Sequence, residues 1–254
     1  MKLQTVLSDT AVMSTRVIRY TTRSIDTVIT VLITPIMMLL MFVYIFGGAM
    51  NTGDISYINY ILPGIFLMCI ASGVAYSALR INNDVTKGIF ERFHSMPIAK
   101  SSILGGHVIA SLILNIVSLL AILLIAFLMG FRPDAGLAGW LLAALILTLS
   151  ILGMTWMGVT FGLLAKSYEG AGVFSYILIG LLFISSAFVP TDTMPAAVRA
   201  FAEYQPMTPI IESVRSLMLG GSADSTTLLA IGWCLAITVF FYITAMRVYR
   251  RRMK

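Results

Sequence analysis

The sequence predicts an all-α membrane protein in which six apolar helices cross the bilayer and both chain ends lie in the cytoplasm. Three observations predict it. Of the 254 residues, 59% are hydrophobic and only 11% charged, against about a quarter charged in an ordinary soluble domain. The apolar residues gather in six runs close to the roughly 20 residues a helix needs to cross hydrocarbon. The basic residues between these runs fall almost entirely at alternate gaps.

The runs cover residues 27–46, 61–79, 103–129, 137–164, 171–189 and 228–245, and His107 is their one Asp, Glu, Lys, Arg or His. A charge at the centre of a spanning helix costs about 2.5–3.5 kcal/mol, so lipid selects for this emptiness. Ahead of them, residues 1–26 mix Leu3, Val6, Leu7, Val17 and Ile18 with Arg16, Arg19 and Arg23. That pattern suits a helix lying on the cytoplasmic face of the membrane, with no cleaved leader expected. Pro35 is expected to kink the first run.

Orientation follows from the 17 Lys and Arg residues. Lys2, Arg16, Arg19, Arg23, Arg80, Lys87, Arg92, Lys100, Lys166 and the tail 247–254 fall on one side, and only Arg132, Arg199 and Arg215 on the other. The positive-inside rule makes the rich side cytoplasmic, so the net charge of +6 reflects anionic lipid and not nucleic acid.

The cytoplasmic loop after the second run reads as a short helix between an Asn/Asp cap and Pro97. At 100° per residue it sets Asp84, Lys87, Glu91 and His94 on a polar face and Val85, Ile89, Phe93 and Met96 on an apolar one. Such a helix can rest on the bundle and offer charges to a soluble protein. Gly88 inside it suggests a bend or a close backbone. The outer segment 190–227 is long for a loop. Pro195 and Pro209 sit where helices start, Thr208 is placed to cap the second, and Gly220-Gly221 to end it. Two short amphipathic helices are expected, returning into the outer leaflet or covering a pathway. In the fourth run Gly158 and Gly162 form a small-xxx-small pattern for close helix packing.

The chain has no G-x-x-x-x-G-K-[ST] phosphate loop, no H-E-x-x-H and no G-x-S-x-G. No metal site or enzyme activity is expected from it: His94 and His107 stand without companions, and Cys69 and Cys234 read as small apolar side chains. Its spans hold no ionisable residue near mid-membrane of the kind that carries an ion or proton gradient. A partner must supply the energy for any transport.

The stretch Lys87-Gly-Ile-Phe-Glu-Arg-Phe-His-Ser-Met-Pro97 resembles the cytoplasmic motif of ABC-2 type permeases, in particular the daunorubicin and doxorubicin resistance branch of drug exporters. Ala187-Phe-Val-Pro-Thr-Asp-Thr-Met-Pro195 and Gln205-Pro-Met-Thr-Pro-Ile-Ile-Glu212 resemble its outer motif. The resemblance implies the ABC-2 permease fold, with a cytoplasmic coupling helix and outer re-entrant half-helices. It carries Lys87, Gly88, Glu91, Arg92 and Pro97 as coupling positions and Pro206 and Pro209 as outer-helix positions; Pro195, Thr208 and Glu212 fall in the same outer segment. It also implies a separate ABC ATPase subunit that binds ATP and Mg, a second permease copy, and a multi-pass protein of the cell membrane, that of a bacterium. The function implied is multidrug or antibiotic efflux of an amphipathic small molecule. Export of a lipid or polysaccharide, or a non-transporting sensor or scaffold, are the competing readings.

Overall fold

A computed structural model of the chain describes residues 3–48 and 55–252. Lys2 and Lys254, which enter the charge reading above, lie outside the described residues, as do the side chains of His94 and Lys100. All regular structure among the described residues is helical. Helix α1 is Leu3–Thr22 and α2 is Ile25–Val28. The first span then passes through a π-helical segment, Ile29–Ile33, into α3, Thr34–Met41, and a second π segment, Phe42–Phe46. Next come α4, Tyr57–Thr86, the short α5, Ile89–His94, and α6, Lys100–Leu128. The remainder is α7, Leu137–Leu164, α8, Tyr168–Phe183, α9, Ala196–Tyr204, α10, Met207–Met218, and α11, Ser225–Arg252.

Among the described residues, five helical stretches are long and apolar enough to cross a membrane: Ile29–Phe46, Tyr57–Thr86, Ser101–Leu128, Leu137–Leu164 and Ser225–Arg252. The predicted fifth span, residues 171–189, is shorter than expected. Its helix α8 has 16 residues, about 24 Å at 1.5 Å per residue, against roughly 30 Å of hydrocarbon. Helical structure stops at Phe183 because the chain turns there, and Ser185, Ser186, Ala187 and Phe188 are buried in protein.

Helix α4 is the centre of the molecule. It is buried over most of its length and touches α3, α6, α7, α8 and α10. Small residues let the neighbours in: a Cβ on Gly158 would stand 2.8 Å from Val74 Cγ1, and one on Gly162 would stand 2.6 Å from the Ala78 carbonyl. Helix α11 lies on α7, and the first span and α11 keep most of their apolar surface outward. At Pro35 the missing N–H would leave the Val31 carbonyl short of its usual donor. Cys69 of α4 donates its thiol to that carbonyl at 3.4 Å, so it does more than fill space.

Candidate functional site: the α4–α6 hairpin and its collar

The segment joining α4 to α6 departs from the single helix the sequence suggests. Helix α4 runs on through Asp84 to Thr86, and Gly88 then takes φ +68°, the left-handed region that favours glycine. Helix α5 starts afresh beyond it. The break resets the helical phase, so of the expected apolar face Val85 and Phe93 pack half-buried against the cluster around Phe90, while Met96 does not. Phe90 is the anchor: it is fully buried among Ile81 of α4, Ile103 and Leu104 of α6, Val159 and Leu163 of α7, and Tyr249 of α11. Met96 faces outward, as do Lys87, Glu91, Arg92 and Pro97. His94 ends α5.

Asp84 is not on the exposed face of this short helix. It is a buried residue of α4, and its Oδ2 accepts a hydrogen bond from Arg16 of α1 at 2.5 Å. His107 of α6 brings Nε2 within 3.3 Å of the same oxygen, in an orientation that stops short of a formed hydrogen bond. So His107 has a companion after all. The signal was present: a histidine near the end of a span calls for a polar partner, and Asp84 sits at the same end of the preceding span. Arg16 also lies 4.9 Å above the Phe93 ring.

Helix α1 forms a collar around this hairpin. Asp9 Oδ2 accepts from the Ala99 N–H at 2.9 Å, serving the start of α6, whose own flanking residue, Ala99, has no polar side chain to offer. Ser102 donates to the Val6 carbonyl at 3.2 Å. Arg80, expected in a loop, is buried within α4; it donates to the Val17 carbonyl at 2.8 Å and to Thr21 Oγ1, and stacks on Tyr20. Asn82 Nδ2 ties α4 to the end of α7 through the Ala165 carbonyl at 2.8 Å. Arg252 donates to the Leu163 carbonyl at 2.6 Å, a cation at a helix C-terminus.

At the other end of the bundle, Pro195 and Pro206 immediately precede α9 and α10, and Pro209 lies in the first turn of α10. Thr208 does not cap α10. It lies inside the helix because Pro206 already starts it, and its hydroxyl accepts from the Ser186 N–H at 3.3 Å. Gln205 Nε2 donates to the Leu181 and Ile184 carbonyls at 2.8 and 2.9 Å, completing the end of α8. Arg215, one of the three basic residues placed on the outer side, donates to the Tyr60 carbonyl at 2.9 Å and the Ser186 carbonyl at 2.6 Å, with the Tyr60 ring 3.8 Å away. Burial holds the Glu212 carboxyl above its ordinary value, against the pull of Arg215.

Comparison with known proteins adds to this geometry. A family model described as ABC-2 type transporter matches residues 9–219. The chain is 29% identical over 225 residues to the daunorubicin resistance ABC transporter permease protein DrrB1 of Streptomyces coeruleorubidus, covering 88% of this chain and 80% of that one. It is 24% identical over 250 residues to the probable doxorubicin resistance ABC transporter permease protein DrrC of Mycobacterium tuberculosis, covering 96% and 89%. The putative transport permease ycf38 of Cyanophora paradoxa is 25% identical over 243 residues, covering 90% and 83%.

Proposed function

The chain belongs to the ABC-2 type transporter family, and on that premise we propose that it is the permease of an exporter that moves an amphipathic small molecule outward, driven by a separate ABC ATPase. It is a membrane protein. In this reading α8 and the buried turn after it complete a sixth crossing, and both termini lie in the cytoplasm. Irregular backbone at membrane depth is tolerated where protein buries it, as it buries Ser185 to Phe188. Helix α1 is the interfacial element, α9 and α10 are the outer half-helices, and the apolar faces of the first span and α11 meet lipid or a second permease copy.

The observation that carries the reading is the socket of Phe90. Helix α5 shows Glu91 and Arg92 to the outside, and Lys87 is exposed just ahead of it, while Phe90 sits in one buried cluster with residues of α4, α6, α7 and α11. A displacement of α5 by a docked ATPase therefore bears on four long helices at once. Interiors packed to crystal density transmit such a push instead of absorbing it. ATP and Mg belong to the partner, and this chain contributes the moving wall.

Glu91→Lys reverses the one acidic group that α5 exposes. It is expected to abolish co-purification of the cognate ATPase, or substrate-stimulated hydrolysis, in proteoliposomes, with expression and insertion unchanged. Normal stimulation in that variant would remove α5 from the coupling path. A chain that never recruits an ATPase would remove the exporter reading itself.

A further inference from the structure

We propose that a pocket between α1, the first span, α4 and α6 binds the uncharged, hydrogen-bonding end of an amphipathic molecule. The pocket has a volume of about 110 Å³ and includes Thr27, Gly73, Ser77, Asn115 and Ser118 in its wall. Two wall atoms have no partner in the protein, Thr27 Oγ1 and Asn115 Oδ1, although these residues are only 3% and 1% exposed. An unpaired buried polar atom costs about 1–3 kcal/mol, so something is expected to satisfy these two.

The surroundings define what fits. A Cβ at Gly73 would come within 2.4 Å of Asn115 Oδ1, so only a glycine there lets the Asn115 carboxamide lie this close to α4. The other half of the amide is engaged: Nδ2 donates to the Ser111 carbonyl at 2.8 Å. Tyr76 and Thr21 are also engaged, by Ser24 and by the Val17 carbonyl. Asn115 Oδ1 and Thr27 Oγ1 are the buried wall atoms without a bond, and the Ser77 and Ser118 hydroxyls lie in the same wall. No acidic or basic residue lines the pocket, so a charged ligand would lose its water without a counter-charge.

The volume matches about three or four waters by their share of the liquid, and lies well below the roughly 300 Å³ of the smaller drug pockets. It therefore takes one end of a molecule, a hydroxyl or amide with a few carbons. The body leaves over the half-exposed Leu32 and Leu114 at the rim. This deepens the permease reading by giving its cargo a first foothold, yet binding here needs no partner subunit.

The test uses the full-length chain in phosphatidylcholine nanodiscs and an octanol carrying a diazirine beside its hydroxyl, with the same diazirine on octane as control. Cross-links from the alcohol, not the hydrocarbon, are expected on the peptides holding Thr27 and Asn115. 1-Octanol competes and octylammonium does not. Thr27→Val removes a hydroxyl that makes no bond in the protein, so folding is kept and thermal stability is unchanged or raised. Labelling is expected to fall about three- to tenfold, the affinity equivalent of one hydrogen bond. Dioleoylglycerol competing as well as octanol would make the occupant a lipid, and octanol competing alone a solute. Equal labelling by alcohol and hydrocarbon, or full labelling of Thr27→Val, would leave a pocket that holds only water. Since no ATPase is present, failure here leaves the permease reading standing, and failure to recruit an ATPase leaves the pocket standing.

Discussion

Asp84 joins three helices through a single oxygen, with Arg16 at 2.5 Å and His107 at 3.3 Å. Arg16→Met leaves that buried carboxylate without its charged donor, and a loss of about 1.5–3 kcal/mol is expected, read as a drop in melting temperature of the detergent-solubilised protein. If the melting temperature does not change, the pair does not hold the collar. Phe90→Ala empties a fully buried ring site and is expected to cost about 3–5 kcal/mol, while Phe90→Leu keeps most of the volume and should retain more. A pH effect belongs to Glu212, whose carboxyl is raised by burial. Its neutral form is the one the fold favours, so its contribution is present below the unfolded carboxylate range and is lost as pH rises through the higher folded value. Glu212→Gln is therefore expected to unfold at a higher temperature than the parent at pH 7–8 and at the same temperature near pH 4, roughly the carboxylate range. A gain that persists at low pH would assign the effect to something other than ionisation.

Among the elements, the hairpin between α4 and α6 depends on Gly88. A side chain at φ +68° carries strain of about 1–2 kcal/mol, so Gly88→Ala should loosen α5 and weaken ATPase stimulation more than it lowers the melting temperature. The α4–α7 contact depends on Gly162 more strictly, because its missing Cβ faces backbone, the Ala78 carbonyl at 2.6 Å. Gly162→Val should separate the helices and reduce the amount of folded protein, whereas Gly180→Ala, with open space around it, should not. The long apolar helices were legible in the sequence because hydropathy is a sum over many residues and survives local error. The packing of Gly158 and Gly162 against α4 follows a pattern visible at spacing four. The phase of α5 was not legible: one glycine in the left-handed region turns every later side chain, and composition does not reveal where a spanning helix stops. For that reason the sequence pattern puts Asp84 on the short helix, whereas it belongs to α4. Thr208 has the side chain of a cap, but Pro206 already begins α10.

Taken whole, the molecule hangs on α4, fastened by an arginine at each end, buried Arg80 to α1 and half-buried Arg215 of α10 to its first turn. Whether α8 crosses the membrane can be read from sidedness. Ser95→Cys and Ser222→Cys replace exposed residues on either side of α6, α7 and α8, and both native thiols are buried. An impermeant maleimide should label them from opposite faces of the vesicle; labelling from one face would mean that α8 turns back. Cross-linking of one tagged copy to another in the membrane is expected if a second permease covers the outward apolar faces. The central position of α4 also bears on biogenesis. Most of its partners, α7, α8 and α10, are synthesised after it, so while the ribosome is still making them the growing chain carries a long helix with Tyr60 and Asn82 still unmatched. An insertase or holding factor is expected to shelter it, and a chain arrested after Leu128 should be cleared by quality-control proteases far faster than the finished one.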